Sequence, residues 1–592
     1  MAKRHISDEE IRRLLEQSEG EEERQVQEGT RNIAEDNIDC SDDEGEEEVV
    51  EVNEYDNGSE VSESEEEADE MDVDTGEDFS FFIGKDNETI WMSKPPVQAA
   101  SRVPAKNIID IFPGPTEICR VTQKPIDAFL KFIDTDIIDT IVDCTNAFIA
   151  SKRKEVDYSR CRDCNDTTRD EIMAVLGVLF LVGAKLGNRA NCRELWKDDG
   201  TGMMITRATF SYKRFLFLLR SVRFDHPSTR AEREKTDKLA AIRNVYDMFL
   251  ANCRNNYSHG EFTTIGEMLF AFRGRCGFVQ YMPNKPAKYG LKYHAICDSK
   301  TYYTSHFEVY CGKQKPGPRD VSNQPYDIVQ RLSQDIQRSN RNITMNDYYT
   351  SVPLADNLLE RGLTVIGALK TNEREIPPEF ISKSRKIGST LYGFQYDKTL
   401  ISIQTKRKKC VLILSTMHNS FMSTDEITGK LLMNTDYNST KGGVDTVDEM
   451  CAAYSTAQQT RRWPLRIFFS FLDLAGINSQ VVFLTNNPES TLGRREFLSA
   501  LALELLEARL KIRAQISSLP KDIKLFLDKY REQPQTFAAP ETGKRNGPCH
   551  VCGGKKCNRT TITCNNCRRF VCKKHSRHIA TCEACGEDRE EL

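Results

Sequence analysis

The feature that most constrains this chain is a change of hydrophobic period at Phe262. Upstream, from Pro125 to Tyr257, apolar residues recur at three- and four-residue intervals, as in DAFLKFIDTDIIDTIVDCTNAF and RATFSYKRFLFLLRSVRF. That spacing belongs to helices with one buried stripe. From Phe262 the period falls to two, and TTIGEMLFAF, GLKYHAICD and TYYTSHFEVY read as three successive strands. A helix (PYDIVQRLSQDI), a strand (RNITMN), a helix (SVPLADNLLERG) and a strand (LTVIGALK) follow. Strands first and βαβ units afterwards is the element order of an RNase H-like α/β fold. Between Lys370 and Asn434, the runs STLYGFQY, LISIQTK and KKCVLILS predict an all-β insertion. Helices resume at Val444. Pro464 suits the first turn of a long helix through Leu484, and Arg494–Ile516 is strongly periodic.

Charge divides the chain unevenly. The 592 residues sum to −7, but Glu35 through Phe79 holds 23 acidic side chains and no Lys or Arg. The remainder carries 82 basic against 66 acidic side chains, a surplus that suits a polyanionic partner such as nucleic acid. Residues 1–110 are too acidic and too poor in aromatics to offset chain entropy by burial, and read as a disordered acidic region. Ser41, Ser62 and Ser64 each precede acidic residues there, a pattern that suits phosphorylation. The opening MAKRHISDEE lacks the apolar stretch of a signal peptide. The apolar run Ile172–Ala184 is too short to cross a bilayer and reads as a buried helix begun by a Thr168/Glu171 capping box. No membrane partner is expected. Twenty cysteines without a secretory signal predict a reducing compartment, where clustered thiols bind metal. The early helices' Lys152, Arg153, Lys154, Arg207, Lys213, Arg214 and Arg220 read as a solvated face.

The C-terminus carries an explicit metal pattern: Cys549-x2-Cys552-x11-Cys564-x2-Cys567-x4-Cys572-x2-His575-x6-Cys582-x2-Cys585. Eight ligands in four two-residue pairs suffice for two structural Zn²⁺ ions. Alternate pairing, the cross-brace, assigns Cys549, Cys552, Cys572 and His575 to one ion and Cys564, Cys567, Cys582 and Cys585 to the other. Sequential pairing is the alternative. Cys557 and His578 are spare, and either could replace His575. Cys161 and Cys164 lack partners at zinc spacing. A segment this short has almost no core, so metal would supply its folding energy, on the order of 10 kcal/mol per site.

Several motifs together resemble the piggyBac transposase family: FTTIGEMLFAFRGRCGFVQYMPNKPAKYG from Phe262, NITMNDYYTSVPL from Asn342, NEREIPPE from Asn372, KGGVDTVDEM from Lys441 and RRWP from Arg461. The resemblance implies a carboxylate site for two Mg²⁺ ions about 3.5–4 Å apart, which activate the attacking oxygen and stabilise the leaving one. Its three ligand positions fall on Gly266, Asn346 and Asp445, so two of the family's aspartates are absent and only Asp445 is retained. Asp448 lies one turn beyond Asp445. Magnesium is therefore expected only if neighbours rebuild the site. The candidates are Asp347, at a strand end, and Asp298. Glu267 and Asp347 follow the lost positions and should point to the opposite face of their strands unless the backbone re-aims them. Arg273, Arg275, Lys285 and Lys288 lie in a basic loop stiffened by two prolines and suit phosphate contacts, and Arg461, Arg462 and Trp463 resemble the family's RRWP-like segment near the cleaved target. Trp463 reads equally well as a packing residue at a helix start.

The resemblance implies a helical dimerisation and DNA-binding domain in two parts, 111–261 and 456–535. It also implies an RNase H-like domain in two parts, 262–371 and 435–455, interrupted by a β-rich insertion over 372–434. A linker (536–547) leads to a cysteine-rich zinc domain at 548–592, which in the family binds transposon-end DNA. Its residues 541–582 carry ten basic side chains and one acidic. A RING- or PHD-like protein-binding module is the other reading. The function implied is a nuclear, homodimeric, double-stranded-DNA-binding protein derived from a transposase and impaired in or lacking cleavage. The alternative is an active cut-and-paste transposase with a rearranged carboxylate site. Family members act at TTAA sites; with the catalytic face altered, that preference is not carried over.

Overall fold

The computed structural model describes residues 81–95, 105–155, 164–186, 192–418, 432–531, 547–552, 559–564 and 569–576. The serine sites of the acidic region, Cys161, Cys557, Cys567, His578, Cys582 and Cys585 lie outside them. The chain divides into two compact units, Met1–Leu506 and Glu507–Leu592.

The first unit is organised by one mixed sheet. Its strands are β1 (Phe81–Ile83), β2 (Ile90–Met92), β3 (Phe262–Ala271), β4 (Tyr289–Asp298), β5 (Thr304–Val309), β6 (Asn342–Met345), β7 (Thr364–Leu369), β8 (Thr390–Phe394), β9 (Thr399–Lys406) and β10 (Lys409–Ser415). The order is β1-β2-β8-β9-β10-β7-β6-β3-β4, with β5 on the outer edge of β4 beside the two-residue strand Gln280–Tyr281. Within it β5-β4-β3 are antiparallel, and β6 and β7 run parallel to β3, which fits an RNase H-like core.

Helices of eight residues or more are α1 (Thr135–Glu155), α2 (Arg169–Leu186), α3 (Tyr212–Ser221), α4 (Arg243–Asn255), α5 (Pro325–Leu332), α6 (Val352–Glu360), α7 (Leu432–Thr440), α8 (Gly443–Ala453), α9 (Trp463–Asn486) and α10 (Arg494–Ala514). The period-two pattern sorts each strand into two faces. Ile265, Ile343, Met345 and Val365 meet α5 and α6 on one side. On the other, Ile366 packs with Met433 and Tyr437 of α7. There the Thr264 hydroxyl donates to Thr440 O at 2.6 Å, and Tyr293 and Ser470 share a hydrogen bond of 2.8 Å. A strand residue's alternation therefore decides whether it can reach α8.

Strands β8–β10 lie within the segment 372–434 and extend the central sheet: β10 pairs antiparallel with β7, and Leu400, Leu412, Leu414 and Phe380 share the core of β3 and β6. Three expectations need revision. Region 1–110 is not uniformly unstructured, because β1 and β2 form a hairpin paired to β8. Trp91 there is fully buried and donates Nε1–H to Glu375 O at 2.8 Å. Averaging over the acidic stretch hid this short apolar run. The capping box is half formed. Thr168 Oγ1 accepts from Glu171 N at 3.3 Å, but the Glu171 carboxylate pairs with buried Arg214 at 2.5 Å. Arg214 thus leaves the solvated face. Helix α9, expected from Pro464, is long and apolar enough to cross a membrane by length and composition, and it is almost wholly buried within the unit.

The second unit contains the end of α10, the short helix Lys521–Leu527 and a small β-braced module. In the module Gly547–Pro548 pairs with Arg559–Thr560, and Thr563 bridges Phe570.

The carboxylate cleft and a candidate metal centre

Helix α8 sits directly on β3 because two glycines remove the side chains that would separate them. Gly443, its first residue, lies against Thr264 and Cys297. Gly266 faces Val444: a Cβ built there would lie 2.9 Å from Val444 Cβ and 3.3 Å from its Cγ1. Val444 is buried. The position that the resemblance assigns to a first carboxylate is therefore filled by a neighbour's side chain as well as lacking its own.

Asn346 follows β6 on the Thr344 side of the sheet and is exposed. Its Oδ1 accepts from Tyr348 N at 3.2 Å, and its main-chain carbonyl accepts from Thr350 N and Oγ1. The side chain caps a turn. Asp347 is exposed too, and its charge, after burial, helps push the Tyr437 phenol up to about 12. Glu267 points to the opposite face of β3 as alternation predicts, pairing with Lys292 at 2.5 Å. Asp298 is unsuited to metal binding. It is buried, with Oδ2 accepting from Gly260 N at 2.5 Å and Oδ1 accepting from Lys300 N and Thr301 N.

The two acids of α8 are held by a lysine. Lys285 Nζ donates to Asp445 Oδ1 at 2.8 Å, to Asp448 Oδ2 at 3.0 Å and to Glu267 O at 2.6 Å. All three ammonium donors are thus engaged inside the protein. The Asp445 side chain is 75% exposed, whereas those of Asp448 and Lys285 are only 16% and 14% exposed. Burial works against the ammonium's charge, but Asp448 and then Asp445 outweigh it and hold Lys285 above its ordinary value. Burial likewise lifts the Asp448 carboxyl, with Lys285 opposing.

These residues do not fit a pair of magnesium ions. Mg²⁺ requires near-octahedral oxygen donors at about 2.0–2.1 Å. Here one position offers no donor and is packed against valine, another offers a carbonyl already accepting a hydrogen bond, and a fixed cation lies between the remaining acids. Among the described residues, those acids form no cluster of three ligands close enough for one ion.

The basic loop between β3 and β4 carries Arg273, Arg275, Lys285 and Lys288, and Arg461, Arg462 and Trp463 lie at the start of α9. Arg273, Arg275 and Lys288 are exposed, with the Arg273 guanidinium 5.9 Å from the Tyr289 ring centroid. Lys285, predicted among the phosphate contacts, is instead turned inward. Arg461 is exposed. Arg462 donates to Arg220 O and Val222 O at 2.9 and 2.6 Å, so it closes the end of α3. Half-buried Trp463 packs edge-on against Phe278 at 5.3 Å between centroids, in keeping with a packing residue at a helix start. Sequence reasoning missed Val444 and the partners of Lys285; a lysine's charge does not reveal which way its chain turns.

The second unit holds a different arrangement. The ligand atoms of Cys549, Cys552, Cys572 and His575 all lie within 4.8 Å of one another. Cys552 and Cys572 Sγ are 3.6 Å apart, and His575 Nδ1 is 3.7, 3.4 and 3.4 Å from the sulfurs of Cys549, Cys552 and Cys572. A tetrahedral Zn²⁺ with Zn–S of about 2.3 Å and Zn–N of about 2.0–2.1 Å implies S···S edges near ~3.8 Å and S···N edges near ~3.6 Å. The four donors fit that ion. The set is the first ion of the alternate pairing. Cys564 stands outside it, which removes the sequential scheme for this ion, and Cys164 is buried elsewhere. The two tight turns that aim the ligands are closed by Cys552 N to Cys549 O and His575 N to Cys572 O.

Comparison with known proteins agrees with this architecture. A family model described as transposase IS4 matches residues 124–480, more than half the chain. The solved piggyBac transposase in a synaptic complex with hairpin DNA superposes with a TM-score of 0.67 at 32% identity, covering 80% of this chain and all of that one. The chain belongs to the piggyBac-type transposase family. Two curated human proteins are also similar, each 20% identical over 369 residues: PiggyBac transposable element-derived protein 3 and the Chimeric ERCC6-PGBD3 protein. The match spans 59% of this chain, 59% of the first relative and 33% of the second.

Proposed function

We propose that this piggyBac-type chain is a nuclear, homodimeric DNA-binding protein that recognises transposon-like ends and does not cut them. The observation that carries the second half is the cleft: Val444 fills the space beside Gly266, and Lys285 binds the acids that remain. A site rebuilt from Asp347, Asp298 and Asp445 is disfavoured because Asp298 spends both oxygens on main-chain amides. Three things support DNA as the partner. The chain outside its acidic block has a surplus of cations, the loop residues Arg273, Arg275 and Lys288 are exposed, and the similar transposase was solved with DNA. The cysteine-rich module would contribute through its ten basic residues once folded on zinc. The test pairs two assays on the purified full chain. In a mobility shift it should retain duplex DNA, with affinity falling steeply as salt rises. In plasmid excision with Mg²⁺ or Mn²⁺ it should release no fragment; clean excision would overturn the proposal.

A further inference from the structure

The loop that joins β3 to β4 has an unusual construction. It carries exposed cations, yet one of its cations, Lys285, turns inward and ties it to the fold. Met282 N donates to Lys288 O at 2.7 Å, Lys285 N to Met282 O and Lys288 N to Lys285 O, so Met282–Lys288 closes into a tight turn around Lys285. Lys288 takes a positive φ of 55° to complete it. From that turn Lys285 reaches the two acids of α8 and the Glu267 carbonyl. Farther back, Phe278 is buried against Trp463 at the start of α9. The loop is thus fastened by an ionic and an aromatic contact as well as by the pairing of Gln280–Tyr281 with β4, while Arg273, Arg275 and Lys288 are exposed.

Of the two acids, mostly buried Asp448 would be a liability without a cation, since an uncompensated buried carboxylate is costly, whereas Asp445 is exposed. Here the charge is matched from within. We propose that the altered carboxylate centre has become the anchor of a DNA-phosphate contact loop: Asp445 and Asp448 clamp Lys285 so that Arg273, Arg275 and Lys288 are held ready for a duplex backbone. Lys285 and the two aspartates are positioning residues in this scheme and touch no DNA. The idea rests on the DNA-binding reading above and adds a role for acids whose ancestral use has gone. Its physical basis is preorganisation, because side chains ordered before binding need not be ordered during it.

The scheme makes a prediction of unusual sign. Replacing Asp445 and Asp448 together by Asn removes two negative charges beside a phosphate-binding surface, which by electrostatics alone strengthens DNA binding. If Lys285 itself contacted phosphate, freeing it would strengthen binding further. The anchor predicts the reverse. Binding of the full-length Asp445→Asn/Asp448→Asn protein to a generic fluorescent duplex, followed by anisotropy at fixed salt, should weaken roughly three- to tenfold. Amide exchange over Phe272–Lys288 should quicken in this variant and in Lys285→Met, while the strands β6 and β7 keep their protection. Unchanged or tighter binding by the double variant overturns the anchor, as does unaltered loop exchange. A wild-type chain that binds no duplex defeats the DNA-binding reading instead, and loop exchange still decides whether the ionic attachment exists. Should the double variant fail to fold, Asp445→Asn alone, at the exposed acid, takes its place in both assays: weaker binding with faster loop exchange supports the anchor, and no change in either overturns it.

Discussion

The cleft beside α8 and the cysteine-histidine cluster of the second unit are both marked in the sequence by dense, specific motifs, and only one of them has the geometry of a metal site. In the cluster four donors converge within 4.8 Å of one another, and four of their six separations are 3.4–3.7 Å, near the edges of a zinc tetrahedron. In the cleft KGGVDTVDEM is intact, but its acids converge on the ammonium of Lys285 and the space opposite belongs to Val444. A motif records which residues a lineage has kept. Whether an ion can sit among them depends on every neighbour that shares the space and the charge.

The largest effect should come from the cluster. Chelating zinc from the full chain, or making Cys572→Ser, should remove amide protection from the described residues 547–552, 559–564 and 569–576, a loss on the order of 10 kcal/mol. The same chelator should leave β3–β7 protected, and hydrogen exchange of both units in one sample checks the contrast. Next in size is Lys285→Met, which leaves the mostly buried Asp448 without its cation and should cost about 3 kcal/mol in urea unfolding. Adding Asp448→Asn should recover part of that loss.

Restoring one ancestral ligand should fail for steric reasons. Gly266→Asp should destabilise by about 1–3 kcal/mol through overpacking. Because the conflict begins at Cβ, Gly266→Ala should cost nearly as much, and Val444→Gly should relieve both, as thermal unfolding would show. The smallest effect is one of pH. Burial raises the folded Asp448 carboxyl above its ordinary 3.8, so the folded state holds more protons than the unfolded state just above that value. The stability of wild type relative to Asp448→Asn should therefore rise as pH falls through the acid range and stay flat near neutrality, in paired urea titrations.

Much of this contrast was legible in the residues. Alternation placed Gly266 and Glu267 on opposite faces of β3, and the x2 spacings, taken in alternate pairs, named the four members of the cluster. The strand–helix order from Phe262 gave the five central strands. What escaped were consequences of long-range packing. The direction of Lys285 is set by a turn and a helix more than 150 residues later in the chain. Arg214 and Arg462 look like surface cations until α2 and α3 supply a carboxylate and helix-end carbonyls. Leu400 and Leu412 have the alternation of any hairpin, and nothing local reveals that their strands extend the central sheet.

The most direct test of the central claim is a manganese titration of the full-length protein followed by electron paramagnetic resonance, with Asp445→Asn/Asp448→Asn as the reference. The account predicts the same titration for both proteins, with no signal from coupled ions. A spin-coupled Mn²⁺ pair in the wild type that vanishes in the variant would contradict it.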